Sequence, residues 1–287
     1  MNWEEDSIEL ESDETIEQPK SLENIFSNFI QESDNVFYEL SIAYQVIVSK
    51  DFAGKNIDQS SDYTIYEPVN AGNYYFKDIP MSDIKKFKRN YPDFLMEIFH
   101  GKLIQLWNNC IVDIFTFLVY SYFSDKRMFT QLGTKYQVKL DFTLKKEDLI
   151  SQIPQIVISE FKSKNGAMDK TNIIKNTLNS NNIDKKHFKE IHKNILIRNA
   201  IQHNNSIISE KLPKTLENDQ KAELIYMCDS NGKSVCCRCN EKIMLSFFEI
   251  EAFISAMQAV INGWRDAEVK NESYRKNYNF NEGNKDT

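Results

Sequence analysis

Residues 184–203, DKKHFKEIHKNILIRNAIQH, decide how this chain is read. Asp184 stands where a helix N-cap belongs, and Phe188, Ile191 and Ile195 follow at three- and four-residue steps, so the spacing predicts a helix from Asp184 to about His203. Carried onward, the same period asks for apolar residues at 198 or 199 and at 202. It meets Arg198, Asn199 and Gln202 instead, with His203 at the edge. Asn199 and His203 are i,i+4 neighbours, and the long side chain of Arg198 can curl toward the same point. Charged and amide groups on a core-facing stripe are costly to desolvate unless paired, so this end of the helix is where chemistry is expected. The plainer alternative is that the stripe leaves the core there and these residues meet water.

Working outward, Leu22, Ile25, Phe26, Phe29, Ile30, Phe37, Leu40, Tyr44 and Ile47 form one stripe of a long helix behind a Ser21 cap, ending near Ser49. Asp51 to Pro80, with its turn residues and scattered aromatics, is expected to be a long packed loop. Pro92 suits a helix start, and Phe94, Ile98, Ile104, Trp107, Ile111, Ile114, Phe115, Leu118 and Tyr122 continue a broad apolar face, so the central helix is expected there. Shorter helical runs broken near Pro154 and at Asn165-Gly166 precede the motif helix. A polar loop from Asn204 to Asp219 follows it. Leu224–Cys228 and Ser234–Cys239 flank Asp-Ser-Asn-Gly and read as a hairpin. Ser246 with Glu249 forms a capping box ahead of Phe253, Met257, Val260 and Trp264, and Gly263 is expected to close that last helix.

The 287 residues are 41% apolar and 27% charged, enough to bury a substantial core and to exclude disordered, collagenous and disulfide-scaffold classes. Six Pro and eight Gly are few breakers, so the fold is expected to be all-α. The net charge of −7 is uneven: residues 1–24 hold nine acids against Lys20, or −8, leaving the rest at +1. The acidic balance therefore does not exclude a polyanionic ligand. Residues 1–20 are expected to be an acidic disordered tail, 21–265 the helical domain and 266–287 a polar C-terminal tail. Residues 4–17 of the acidic tail are expected to mimic RNA and to occupy the basic cleft in an inactive form. Neither a signal nor a transit peptide is read at the N-terminus, and the most apolar run, Cys110–Phe123, contains Asp113 and falls short of the roughly 20 residues of a bilayer span. The expectation is a cytoplasmic protein without a membrane segment.

Arg198-Asn199-Ala200-Ile201-Gln202-His203 resembles the Arg-Asn-x-x-x-His signature of the HEPN superfamily (higher eukaryotes and prokaryotes nucleotide-binding). Two long helices before the motif helix, then a loop, a short strand near Ile243–Leu245 and a closing helix extend the likeness over about 240 residues in order. The resemblance implies an antiparallel helical bundle, here with a small hairpin insertion before the last helix, and the activity of a metal-independent endoribonuclease of the toxin-antitoxin, abortive-infection or anti-phage kind. It further implies a homodimer with a composite active site, an RNA substrate such as a transfer RNA loop, an antitoxin or regulatory partner, and no cofactor. Asp113, on the long second helix, is the acidic residue that the resemblance sets opposite the motif.

Such a set can catalyse transesterification, in which the RNA 2′-hydroxyl attacks the adjacent phosphorus. His203 suits general acid or base work, as imidazole titrates near neutrality. Arg198 offers a fork of N–H donors to the equatorial phosphate oxygens, and Asn199 orients imidazole or phosphate. His192 lies close to the face of Asn199, and Lys189 and Lys193, within the stretch that also holds Lys170, Lys175, Lys185 and Lys186, are candidates to track an RNA backbone. Cys228, Cys236, Cys237 and Cys239 form the competing constellation, but residues 236 and 237 alternate faces of a strand and cannot both point at one ion. The spacing favours ordinary reduced cysteines, and no metal site is assigned. The alternative readings are a HEPN-like module that binds RNA, a nucleotide or a partner without cutting, and a helical scaffold docked through a zinc hairpin.

Overall fold

A computed structural model describes residues 21–48, 81–124, 143, 145–164, 166–178 and 182–282. The acidic tail 1–20 and the loop 51–80 lie outside the described residues. Among the described residues the chain forms seven helices and one two-stranded sheet: α1 (Leu22–Val48), α2 (Met81–Phe123), α3 (Lys146–Lys164), α4 (Ala167–Thr177), α5 (Lys185–His203), α6 (Lys211–Glu217), β1 (Leu224–Cys228), β2 (Ser234–Arg238) and α7 (Phe247–Glu282). The all-α class follows from the sparse breakers and the helical spacing of the apolar residues.

The N-cap bonds anticipated at Ser21, Asp184 and Ser246 form. The expected capping box does not close, because the Glu249 carboxylate bonds Lys193 and the Cys228 amide instead of the Ser246 amide. Ser21 Oγ accepts from the amide of Asn24 at 3.1 Å, and Asp184 accepts from that of Lys186 at 2.9 Å. Each satisfies a donor that the first helical turn leaves without an internal partner. Ser246 Oγ accepts from the amide of Glu249 at 3.0 Å and donates to the Cys228 carbonyl at 2.6 Å, so one hydroxyl caps α7 and ties it to β1.

Helix α2 is central and touches α1, α3, α4, α5 and α7. Trp107 of α2, wholly buried, stacks on Trp264 of α7 at 5.7 Å between centroids, meets Phe29 of α1 edge-on and donates to Thr171 of α4. Phe115 stacks on Phe161 of α3 at 3.8 Å. By length and composition Pro92–Phe123 could cross a membrane, which the shorter run read from sequence did not suggest. Leu103, Trp107, Ile114 and Leu118 within it have no exposed surface, the pattern of a core helix.

Several boundaries differ from the sequence reading. Pro92 and Pro154 lie inside α2 and α3, whose burial outweighs one missing N–H in each. The polar loop 204–219 contains α6, whose Leu212, Pro213 and Leu216 are buried. No strand forms at Ile243–Leu245; a single bridge joins Ile207 to Lys242, and both flanking apolar residues are buried. Helix α7 does not stop at Gly263 but continues to Glu282, taking in most of the expected C-terminal tail.

Gly263 serves close packing, not termination. A Cβ there would lie 2.5 Å from Ile183 Cγ1 and 2.7 Å from its Cδ1. Alanine is the better helix former by about 1 kcal/mol, whereas overpacking costs about 1–3 kcal/mol. Gly263→Ala is therefore expected to lower stability in urea denaturation, and adding Ile183→Ala to recover part of the loss. A Gly263→Ala protein as stable as the wild type would contradict this close approach.

Candidate functional site

Helix α5 buries Phe188, Ile191 and Ile195, as the sequence spacing anticipates, and continues the buried face with Ile197 and Ala200. Asn199, Gln202 and His203 are exposed and Arg198 is half-buried. The motif's polar groups therefore do not intrude into the core; the stripe turns away and leaves them to water. The polar intrusion lies one turn earlier, at Lys193 and Asn194.

Lys193 was a candidate RNA contact, and the structure buries it instead. Its Nζ sits 2.7 Å from Glu190 and 2.7 Å from the wholly buried Glu249 of α7, and donates to the Tyr226 carbonyl at 3.3 Å. Burial works against the ammonium charge, but the two carboxylates outweigh it and hold the lysine above its ordinary value. Burial and nearby Glu249 push Glu190 up against the pull of Lys193. The other Glu249 oxygen accepts from the Cys228 amide at 2.8 Å.

Asn194 extends this cluster to α2. Its Nδ2 donates to the Glu190 carboxylate and carbonyl, so its Oδ1 accepts from His100 Nε2 at 3.0 Å. His100 is wholly buried and its Nδ1 has no hydrogen-bond partner among the described residues. Burial first, and then the nearby Arg198 charge, lower its pKa to about 4 against the hydrogen bond to Asn194. One turn earlier on α2, Glu97 accepts from Ser206 Oγ at 3.2 Å. Asn205 and Ser206 both have positive φ, 53° and 62°, and Ser206 is buried. Non-glycine residues reach that region only when their surroundings hold them there, and Glu97 is one of the holders. Glu97 and His100 thus grip α5 on either side of Arg198–His203.

Sequence reasoning missed both residues. An acid and a histidine amid the apolar residues of α2 were the available signal, but Asp113 was chosen. Asp113 lies thirteen residues beyond His100, about 20 Å along the helix, exposed, with Lys162 and Glu32 as charged neighbours. Burial and Glu32 raise its carboxyl while Lys162 lowers it. It is not brought to the motif.

The remaining candidates are dispersed. His192 shares the outward stripe of Asn199 and His203 but is half-buried near Asp169 of α4; burial lowers its pKa and Asp169 opposes. Lys189 pairs with Glu217 and Lys186 with Asp184, while the Lys175 ammonium lies 4.7 Å over the Phe188 ring. Much of the basic stretch is engaged within the protein. Arg198 donates to Asn199 Oδ1 at 3.3 Å, and no carboxylate among the described residues pairs with it. In the hairpin, Cys236 faces Tyr226 and Cys237 faces Ile225, so the adjacent thiols point to opposite sides. Among the described residues no group of three or more His, Cys, Asp or Glu side chains could hold a metal ion.

Lys193→Ala is expected to cost about 3–5 kcal/mol by leaving a buried carboxylate uncompensated, whereas Lys189→Ala should stay within about 1 kcal/mol. Denaturant titration of both variants checks this, and equal losses would refute it. His100, held neutral by the fold, takes up a proton on unfolding between pH 6.5 and about 4, so its contribution is full above pH 6.5 and lost as the pH falls through that window. The stability advantage of wild type over His100→Gln is expected to narrow there by on the order of 3 kcal/mol. A constant difference would mean that His100 is not held neutral.

Comparison with models of protein families, with curated proteins and with solved structures found no match to this chain.

Proposed function

We propose that the chain is a metal-independent endoribonuclease of the HEPN kind, acting in prokaryotic anti-phage, abortive-infection or toxin-antitoxin biology as the motif resemblance implies. One observation carries this reading: an arginine with no carboxylate partner among the described residues is presented beside an exposed asparagine and histidine at one end of a well-anchored helix. An anion can take the place that no carboxylate among the described residues fills. The order of elements, with long helices first and a hairpin before the last helix, supports a HEPN-like bundle.

In this reading Arg198 donates N–H groups to the non-bridging phosphate oxygens, whose charge grows as the 2′-oxygen approaches phosphorus. Asn199, bonded to Arg198, holds the guanidinium toward that oxygen pair. His203 takes the 2′-hydroxyl proton as the new P–O bond forms, and a proton reaches the departing 5′-oxygen as its bond breaks. One chain supplies one motif histidine, so a second copy of the chain donates that proton, and RNA lies between two motifs. The products carry 2′,3′-cyclic phosphate and 5′-hydroxyl ends.

A non-cleaving module that binds RNA, a nucleotide or a partner is the second reading. It is favoured by the fact that His203 is the sole exposed histidine at this end of α5 among the described residues.

Cleavage of total RNA by wild type, Arg198→Ala and His203→Ala, each with EDTA, separates the two. Wild type is expected to leave cyclic phosphate ends, and each variant to lose roughly 10²–10⁴-fold in rate. Failure of wild type to cut, with RNA retained equally by all three proteins, would end the nuclease reading and leave the binding module.

A further inference from the structure

An open cleft of about 420 Å³ lies between α5, the end of α6 and β1, at the opposite end of α5 from Arg198. Leu224 and Tyr226 line it from the hairpin, Lys189 from α5, Glu217 from the end of α6, and Lys221 and Glu223 from the segment leading into β1. Along β1, Ile225 and Met227 are buried, so the alternation of the strand turns Leu224 and Tyr226 outward. Tyr226 keeps 59% of its surface exposed, yet its backbone is fixed, because Lys193 donates to its carbonyl and the strand is paired with β2. The result is a wet aromatic ring on a rigid mount.

We propose that this cleft binds one ribonucleotide unit, either a free mononucleotide or one residue of an RNA strand. Tyr226 offers the base a face to stack on, with Leu224 completing the apolar surface. Lys189 and Lys221 supply charge for the phosphate. The carboxylates of Glu217 and Glu223 accept from the 2′- and 3′-hydroxyls, which selects ribose over deoxyribose. Lys189 already pairs with Glu217, but both partners are exposed, and surface pairs of this kind are weak, so a phosphate can replace the carboxylate at little cost. The volume lies toward the small end of the range of small-ligand sites. The site is separate from Arg198, nine residues and about 13 Å along α5 from Lys189, and stands whether or not the motif cuts RNA.

Calorimetric titration of the full chain with adenosine 5′-monophosphate, its 2′-deoxy analogue and inorganic phosphate tests the site in wild type, Tyr226→Ala, Tyr226→Phe, Lys221→Glu and Arg198→Ala. The ribonucleotide is expected to bind wild type, Tyr226→Phe and Arg198→Ala alike, and Tyr226→Ala and Lys221→Glu about tenfold more weakly. The deoxy analogue should bind less well and phosphate not measurably. Lys221→Glu alters an exposed position and keeps the test open if Tyr226→Ala does not fold. Displacement of the nucleotide by a single-stranded RNA hexamer assigns the site to RNA, and no displacement assigns it to the free nucleotide. Absence of nucleotide binding, equal binding by Tyr226→Ala, phosphate binding as well as the nucleotide, or loss of binding in Arg198→Ala would each overturn the proposal.

Discussion

The ion cluster of Glu249, Lys193 and Glu190 constrains the rest of this molecule. A carboxylate with no exposed surface is tolerated only if its lone pairs are filled, and here Lys193 and the Cys228 amide fill them. Desolvating such a group opposes folding, so the cluster is weak evidence for stability; what it imposes is a geometric requirement. It can be satisfied only when α5, α7 and β1 meet in one register. Asn194 and His100 carry the same demand to α2, the central helix.

This explains how a surface motif comes to be held in place. Arg198 and His203 lie on an exposed face that the hydrophobic core does not position directly. Their helix is fixed from behind by Lys193 and Asn194, and beyond its end by the left-handed Asn205-Ser206 turn that Glu97 bonds. Two polar contacts of α2, one turn apart, one buried and one half-buried, therefore bracket the motif, and loosening either is expected to change where the guanidinium and imidazole sit without touching them.

How much of this the sequence disclosed follows from what periodicity measures. The caps at Ser21, Asp184 and Ser246 and the stripe Phe188-Ile191-Ile195 were legible, because each rests on neighbours within a few residues. Lys193 was misread for the opposite reason. A lysine in a basic stretch looks like a surface residue, and its partner Glu249 is 56 positions away. That Asp113 was named and Glu97 and His100 were not has the same root: one helix offers several polar residues, and only packing shows which of them faces α5. Helix α6 was hidden because its three buried residues sit in a short polar segment. Gly263 carried a terminator's chemistry but answers a steric demand from Ile183, which local sequence does not contain.

The same cluster joins the two ends of α5. Lys193 lies between Lys189, which lines the hairpin cleft, and Arg198, which begins the motif, and it also bonds the Tyr226 carbonyl. The hairpin is small, and a two-stranded sheet alone is marginal in water; it is held here because Ile225 and Met227 are buried and because Ser246 at the start of α7, Glu249 of α7 and Lys193 of α5 bond Cys228 and Tyr226. The burial that fixes the strand leaves Tyr226 outward on a backbone that cannot move far. Were the chain to act on RNA as proposed, a strand held at Tyr226 would meet Arg198 at a distance that α5 itself sets.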